Sequence, residues 1–201
     1  MSPEHCAPKP LLFLMSGLPG SGKTTTARRL AEHYNAILLS LDEGLVSLFG
    51  PSHIVEAPDL RLERVNGMRS ALYVIAHRAL QRGVSVILDD GFFTRSSRKR
   101  AQEECSNHLQ YTVDCEPIVL YCQASFPVLQ ERLVKRSRDL PPNTHYITGE
   151  LLASFAALFE EPSSAEGIKV VTVSTEDEAG LCEDELHELI SNVFDRQRFD
   201  H

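Results

Sequence analysis

The sequence predicts an α/β fold in which helices cover both faces of a parallel sheet. Three observations predict it. Short apolar runs alternate with longer stretches of helical periodicity along the chain. Some runs, Val84-Ser85-Val86-Ile87-Leu88 among them, are nearly continuous, as a strand buried on both faces requires. The first run, Leu11 to Met15, passes directly into a glycine-rich octapeptide and then into a helical stretch.

Residues 11–16 read as the first strand and 22–34 as the first helix, with Ala36-Ile37-Leu38-Leu39-Ser40 as the second strand. From Asp59 to Gln81, residues Leu62, Val65, Met68, Leu72, Ile75, Ala79 and Leu80 recur at helical spacing, and Gly83 stops the helix. Val84 to Leu88 is the third strand, a basic helix runs from about Ser96 to His108, and Pro117 to Cys122 is the fourth strand. Ser125 caps a helix with Pro127 in its first turn and Phe126, Leu129 and Leu133 on its apolar side. Leu140-Pro141-Pro142-Asn143-Thr144 reads as a loop, because consecutive prolines break a helix. A short helix with Leu151, Leu152, Phe155, Leu158 and Phe159 ends at Pro162, and Lys169 to Ser174 is the fifth strand. Leu186, Leu189, Ile190, Val193 and Phe194 line a last helix.

Composition bounds the function. The 201 residues suffice for one well-buried core, so a single domain over 1–201 is expected. With 42% hydrophobic and 24% charged residues the chain reads as globular, and no apolar stretch reaches the length of a bilayer span. Lys9 and the short run behind it lack the length and cleavage site of a signal peptide. The five cysteines are scattered without C-x-x-C spacing, which argues for reduced thiols in a cytoplasmic setting and against a zinc site. A formal charge of −8 disfavours indiscriminate nucleic-acid binding but leaves room for a local basic groove.

The octapeptide Gly17-Leu18-Pro19-Gly20-Ser21-Gly22-Lys23-Thr24 fits G-x-x-x-x-G-K-[ST], the P-loop pattern. Its glycines let successive backbone N–H groups converge on one anion, and the following helix adds its positive end. Gly17, Pro19, Gly20, Ser21, Gly22, Lys23, Thr24 and Thr25 are the expected nucleotide cradle. Lys23 would reach the β- and γ-phosphates, and the Thr24 hydroxyl would hold Mg²⁺. The expected bound species are ATP and Mg²⁺.

Transfer of a phosphoryl group also needs a carboxylate for the metal, a base for the acceptor, and cations for developing charge. In an open α/β sheet these come from the carboxyl ends of strands. Asp42, two residues beyond the second strand, is positioned to accept the proton of an attacking hydroxyl, and equally to cap a helix. Asp89 and Asp90 end an apolar strand in the manner of a Walker B carboxylate. Alternation sends the two to opposite sides, and Asp89 is assigned to the metal with Asp90 as the alternative. Arg132, Arg136 and Arg138 precede the proline-bearing loop, where an arginine-rich lid over phosphates would sit, and Arg132 and Arg136 share a helix face. Arg98 offers a grip on the acceptor, or else belongs with Arg95, Lys99 and Arg100 to a solvated face.

The chain resembles the small P-loop kinases grouped with polynucleotide kinase, zeta-toxin kinases and chloramphenicol phosphotransferase. The resemblance is carried by Gly17 to Thr24, Asp42, Asp89-Asp90 with an arginine-bearing helix behind them, Arg132 to Arg138, and the segment from Leu140 to Pro162. It covers about residues 10–175. It implies a P-loop NTPase three-layer sandwich on five parallel strands with a short arginine-bearing lid. It also implies ATP with Mg²⁺ and a hydroxyl acceptor deprotonated at Asp42. Members of such a group act on very different acceptors, so the likeness carries no substrate. A small-molecule hydroxyl compound is the expected acceptor. Leu41 stands where polynucleotide kinases commonly have a basic residue, which weakens the alternative of a nucleic-acid 5′-hydroxyl held along Arg95 to Arg100. A regulatory ATP-binding module is the other alternative; the guanine motif Asn-Lys-x-Asp is missing. The base of the nucleotide is expected near Ser174-Thr175-Glu176-Asp177, and the acceptor pocket between Leu45 and Leu62.

Overall fold

A computed structural model describes residues 9–50, 57–108, 111–139, 147–177 and 183–195. The elements are β1 (Leu11–Ser16), α1 (Lys23–His33), β2 (Ile37–Ser40), α2 (Leu41–Phe49), α3 (Pro58–Leu80), β3 (Val86–Gly91) and α4 (Arg95–Ser106). A small antiparallel ribbon follows, β4 (Asn107–His108) with β5 (Tyr111–Thr112), and then β6 (Glu116–Gln123), α5 (Phe126–Asp139), α6 (Gly149–Leu158), β7 (Lys169–Ser174) and α7 (Glu183–Asp195).

The main sheet is parallel throughout, in the order β2-β3-β1-β6-β7. In the central strand Phe13 sits beside Ile87 and Ile118, and Leu14 beside Leu88 and Val119. Strand alternation then sorts the apolar side chains into two layers. Leu12, Leu14, Leu88 and Val119 pack on one face with Tyr73, Ala76 and Leu80 of α3 and Ala101 and Cys105 of α4. Phe13, Met15, Ile87, Ile118 and Leu120 pack on the other with Ala27 and Leu30 of α1 and Leu186 and Ile190 of α7. A fully buried Leu, Ile, Val, Phe or Met among them stabilises by about 2 kcal/mol. The chain reverses direction across the sheet between β3 and β6, on either side of β1, so the crevice for a ligand opens at the end of β1.

The fold class and the five principal strands match the sequence reading, and four local features differ. Strand β3 begins at Val86 instead of Val84 and extends one residue past the Asp89-Asp90 pair, to Gly91. The stretch after β2 is the helix α2, with Ser40 as N-cap accepting from the Glu43 N–H at 3.4 Å, so Asp42 is not the cap. In α3 the buried residues are Tyr73, Ala76, His77, Ala79 and Leu80, while Leu62 and Ile75 are exposed despite their spacing. The basic helix ends at Ser106, where the chain turns into the ribbon. The predicted loop at 140–144 lies outside the described residues. Among the described residues no helix is long and apolar enough to cross a membrane.

Candidate active site

The phosphate loop connects β1 to α1, and its backbone accounts for its glycines. Gly17, Gly20 and Gly22 have φ of 143°, 84° and 80°, values that side chains disfavour. A β-carbon on Gly17 would also stand 2.4 Å from the Cys122 carbonyl oxygen, which lies at the end of β6. Helix α1 begins with neither a capping side chain nor an acidic residue in its first turn. Its amino-terminal N–H groups are thus left for an anion. The Ser21 hydroxyl is buried without a hydrogen-bond partner among the described residues. This is the kind of orphaned polar atom that a phosphate oxygen satisfies. The cradle fits a nucleotide's phosphates.

Lys23 curls back over the loop, donating from Nζ to the Leu18 carbonyl at 2.9 Å. Burial pushes its pKa down, and Asp89, Cys122 and Asp42 counter that by favouring the charged amine. Thr24 donates from Oγ1 to Asp89 Oδ2 at 2.7 Å. Asp89 is almost fully buried; desolvation raises its pKa, and the Thr24 hydrogen bond and the Lys23 charge oppose the rise. A hydroxyl and a carboxylate in contact beside the lysine suit a hard, oxygen-seeking cation such as Mg²⁺. Asp90 points elsewhere and is gripped in a two-point fork by Arg69 of α3, at 2.5 and 2.9 Å. Burial raises the pKa of Asp90 and that guanidinium lowers it. Asp42, exposed in the first turn of α2, is within electrostatic reach of Lys23, Asp89 and Asp90, on each of which its charge acts. Arg28 of α1 pairs with Glu43 at 2.9 Å and holds α2 beside the loop helix.

The arginines of α5 divide. Arg132, expected over phosphates, instead donates to the carbonyls of Gly20 at 3.4 Å, Thr175 at 2.5 Å, and Glu176 and Asp177 at 3.3 Å. A planar guanidinium saturated by main-chain oxygens clamps the phosphate loop to the segment behind β7. Thr175 reinforces the clamp: its hydroxyl lies 2.9 Å from the Ser21 carbonyl and 3.1 Å from that of Gln123. The expected base-binding segment 174–177 is therefore fastened to the loop. Arg136, one turn further on and exposed, sends its charge to Lys23 and lowers the pKa there. Arg138 is exposed in the last turn of α5.

Arg98 corrects the sequence reading. It is fully buried, donating to both carboxylate oxygens of Glu166 at 2.8 and 2.5 Å and to the Phe92 carbonyl at 3.0 Å. It has no face for an acceptor. Phe92 itself is strained, with φ 35°, and its carbonyl also accepts from Ser16 at 3.1 Å. The next residue, Phe93, lies against Gly91 near the Lys23 side chain and stacks on Phe155 of α6, with ring centroids 5.3 Å apart. Sequence reasoning missed Arg69, Glu166 and Phe93. Their partners lie 21, 68 and 62 positions away in the chain, beyond any local pattern. The pair Phe92-Phe93 directly behind Asp89-Asp90-Gly91 was the one available signal for the last of them.

Comparison with known proteins agrees with the fold. Residues 12–162 match the family model described as AAA domain. No curated protein matches the sequence. Among solved structures, a gluconokinase from Sinorhizobium meliloti aligns over 97% of this chain and all of its own, at 19% identity and TM-score 0.61. Kti12 of Chaetomium thermophilum, in complex with ADP-AlF3, aligns over 92% of this chain and 97% of its own, at 20% identity and TM-score 0.66. The APS kinase CysC of Mycobacterium tuberculosis, in complex with AMPPNP and APS, aligns over 94% and 99%, at 14% identity and TM-score 0.59. At these identities the structures show a shared fold, that of P-loop kinases and their relatives. A family match over so much of the sequence, with the loop and most of the sheet inside it, makes the chain a member of the AAA domain family.

Proposed function

We propose that the protein is an ATP-dependent kinase that transfers the γ-phosphoryl group to a hydroxyl of a small molecule. One observation carries the reading: Lys23, Thr24 and Asp89 are joined at the mouth of the phosphate loop, with the exposed carboxylate of Asp42 inside their electrostatic field. The loop amides and the first turn of α1 would hold the β- and γ-phosphates, and Lys23 would lie against the oxygens that gain charge. Thr24 and Asp89 would hold Mg²⁺, which supplies charge neutralisation between the β- and γ-phosphates. Asp42 would take the proton from the acceptor hydroxyl as its oxygen bonds to the γ-phosphorus and the bond to the bridging oxygen breaks, releasing ADP. Arg136 is the lid cation closest in influence to Lys23 and would meet the migrating group.

The alternative of a strand groove along α4 loses its side chains. Arg98 is buried, Arg95 donates to the Ala165 carbonyl at 3.0 Å, and Lys99 and Arg100 face Glu103 and Glu104 at 3.6 and 3.9 Å. The test is ADP release, measured against pools of nucleosides, sugars and aminoglycoside-like alcohols, with Lys23→Ala as control. At least one pool should raise turnover well above hydrolysis in the parent protein alone. If none does, while ATP binds, the kinase reading fails and the regulatory module gains.

A further inference from the structure

Far from the phosphate loop, at the other end of α1, three polar side chains converge. His33 Nε2 lies 3.1 Å from Nδ1 of His187 on α7, and the Tyr34 hydroxyl lies 3.1 Å from the same nitrogen. That Nδ1 has one in-plane lone pair and so can accept one good hydrogen bond, yet two potential donors approach it. The His33 and His187 ring centroids are 4.6 Å apart with planes inclined at 42°, so the rings meet at an angle instead of end to end. Non-collinear ring nitrogens are what two ligands of one ion require. Tetrahedral zinc, with Zn–N of about 2.0–2.1 Å, separates two ligand nitrogens by about 3.3 Å.

The other nitrogen of His187 is also provided for. Its Nε2 lies 3.3 Å from the Ser191 hydroxyl, one helical turn along α7. Donation from Nε2 to that oxygen leaves Nδ1 deprotonated and holds the ring, the outer-sphere arrangement common to ligating histidines. Tyr34 is fixed in turn by its ring contact with Phe13 of the core, at 5.2 Å between centroids. Both histidines are exposed, so solvent has access to complete a coordination shell. Two imidazoles and water select borderline divalent ions of the zinc, nickel and copper type over Mg²⁺. The cysteine spacing that argues against a zinc site says nothing of a histidine pair brought together by the fold.

We infer that His33 and His187 form a divalent transition-metal site that bridges the end of the phosphate-loop helix to the C-terminal helix. The ligands are His33 Nε2 and His187 Nδ1, with Tyr34 alongside and Ser191 orienting His187. Nothing in this site depends on the kinase reading.

The test uses the full chain with Mg²⁺ in excess, titrated with Zn²⁺ by calorimetry and with Cu²⁺ by electron paramagnetic resonance. One Zn²⁺ equivalent is expected to disappear in His33→Gln and equally in His187→Gln, and the double variant should lose no more than either single one. The Cu²⁺ spectrum should show coupling to two imidazole nitrogens in the parent and to one in each variant. Ser191→Ala should weaken Zn²⁺ binding by about tenfold. Binding that survives either single variant, or losses that add in the double variant, would overturn the site.

Discussion

Asp42 and Lys23 stand at the same site but answer to different physics. Lys23 is partly desolvated, donates to the Leu18 carbonyl and lies in the field of nearby carboxylates, so on the proposed reading its charge is directed at the phosphates. Asp42 is exposed and touches the site through its field. Lys23→Ala should therefore abolish transfer, because it removes the cation nearest the migrating phosphoryl group. Asp42→Asn should leave nucleotide affinity nearly unchanged while lowering turnover by about 10²-fold or more. Fluorescent-nucleotide binding beside steady-state kinetics separates the two, and equal losses of affinity and turnover in the Asp42 variant would make it a metal-linked or structural acid. At this scale the sequence was most informative where chemistry is local. Gly17 to Thr24 is contiguous, and the strand pattern before Asp89 identified a carboxylate that indeed meets Thr24. Arg98 was opaque, because a guanidinium in a basic run gives no sign that it will be buried against a carboxylate 68 positions later.

Among elements, the structure relies on long-range polar links more than its apolar patterning suggests. Arg98 of α4 and Glu166 join the turn behind β3 to the turn before β7, and the Glu160 side chain receives the Arg95 N–H at 2.6 Å close by. The Glu166 carboxyl is held below the usual carboxylate range, chiefly by its hydrogen bonds from Arg98. A depressed acid stabilises the fold while ionised. The pair should contribute fully above the ordinary glutamate pKa and fade as pH falls through the lower folded value. Arg98→Ala, which strands Glu166, should cost about 3–5 kcal/mol at neutral pH. Glu166→Gln should lose the share of the acid-side decline that is expected as pH falls below the ordinary glutamate range. Urea unfolding across that fall in pH measures both, and identical pH slopes in parent and Glu166→Gln would remove the pair from the acid response. Helix α3 shows the converse limit of legibility: its spacing was recognised, but which turns are covered depends on α4 arriving beside its second half, and spacing alone does not encode a neighbour.

Across the whole molecule, the phosphate loop is seated between two structures of unequal strength. Behind it lies the sheet, with a large apolar layer on each face. In front lies a smaller cluster, Leu129 and Leu133 of α5 with Leu152 of α6, against which Leu18 of the loop packs. If the proposed kinase reading holds, α5 and α6 form a lid that has to open and close, and elements that move are drawn from the less stable part of a fold. Those three buried side chains, beside the Arg132 clamp and the Phe93–Phe155 stack, hold α5 and α6 without merging them into the main core. Leu152→Ala should therefore loosen the lid before it unfolds the sheet. Hydrogen exchange should rise in α5 and α6 and in the loop around Leu18, with β1, β3 and β6 unchanged. Nucleotide KM should rise while the Tm of the main transition moves little. The same truncation at Ile118, in the middle of the sheet, should cost about 2–5 kcal/mol globally and raise exchange everywhere. If Leu152→Ala instead lowers the main transition as much as Ile118→Ala does, the two clusters unfold as one unit. Closure would then have to come from rigid movement of the clamp that Arg132 makes with the segment behind β7.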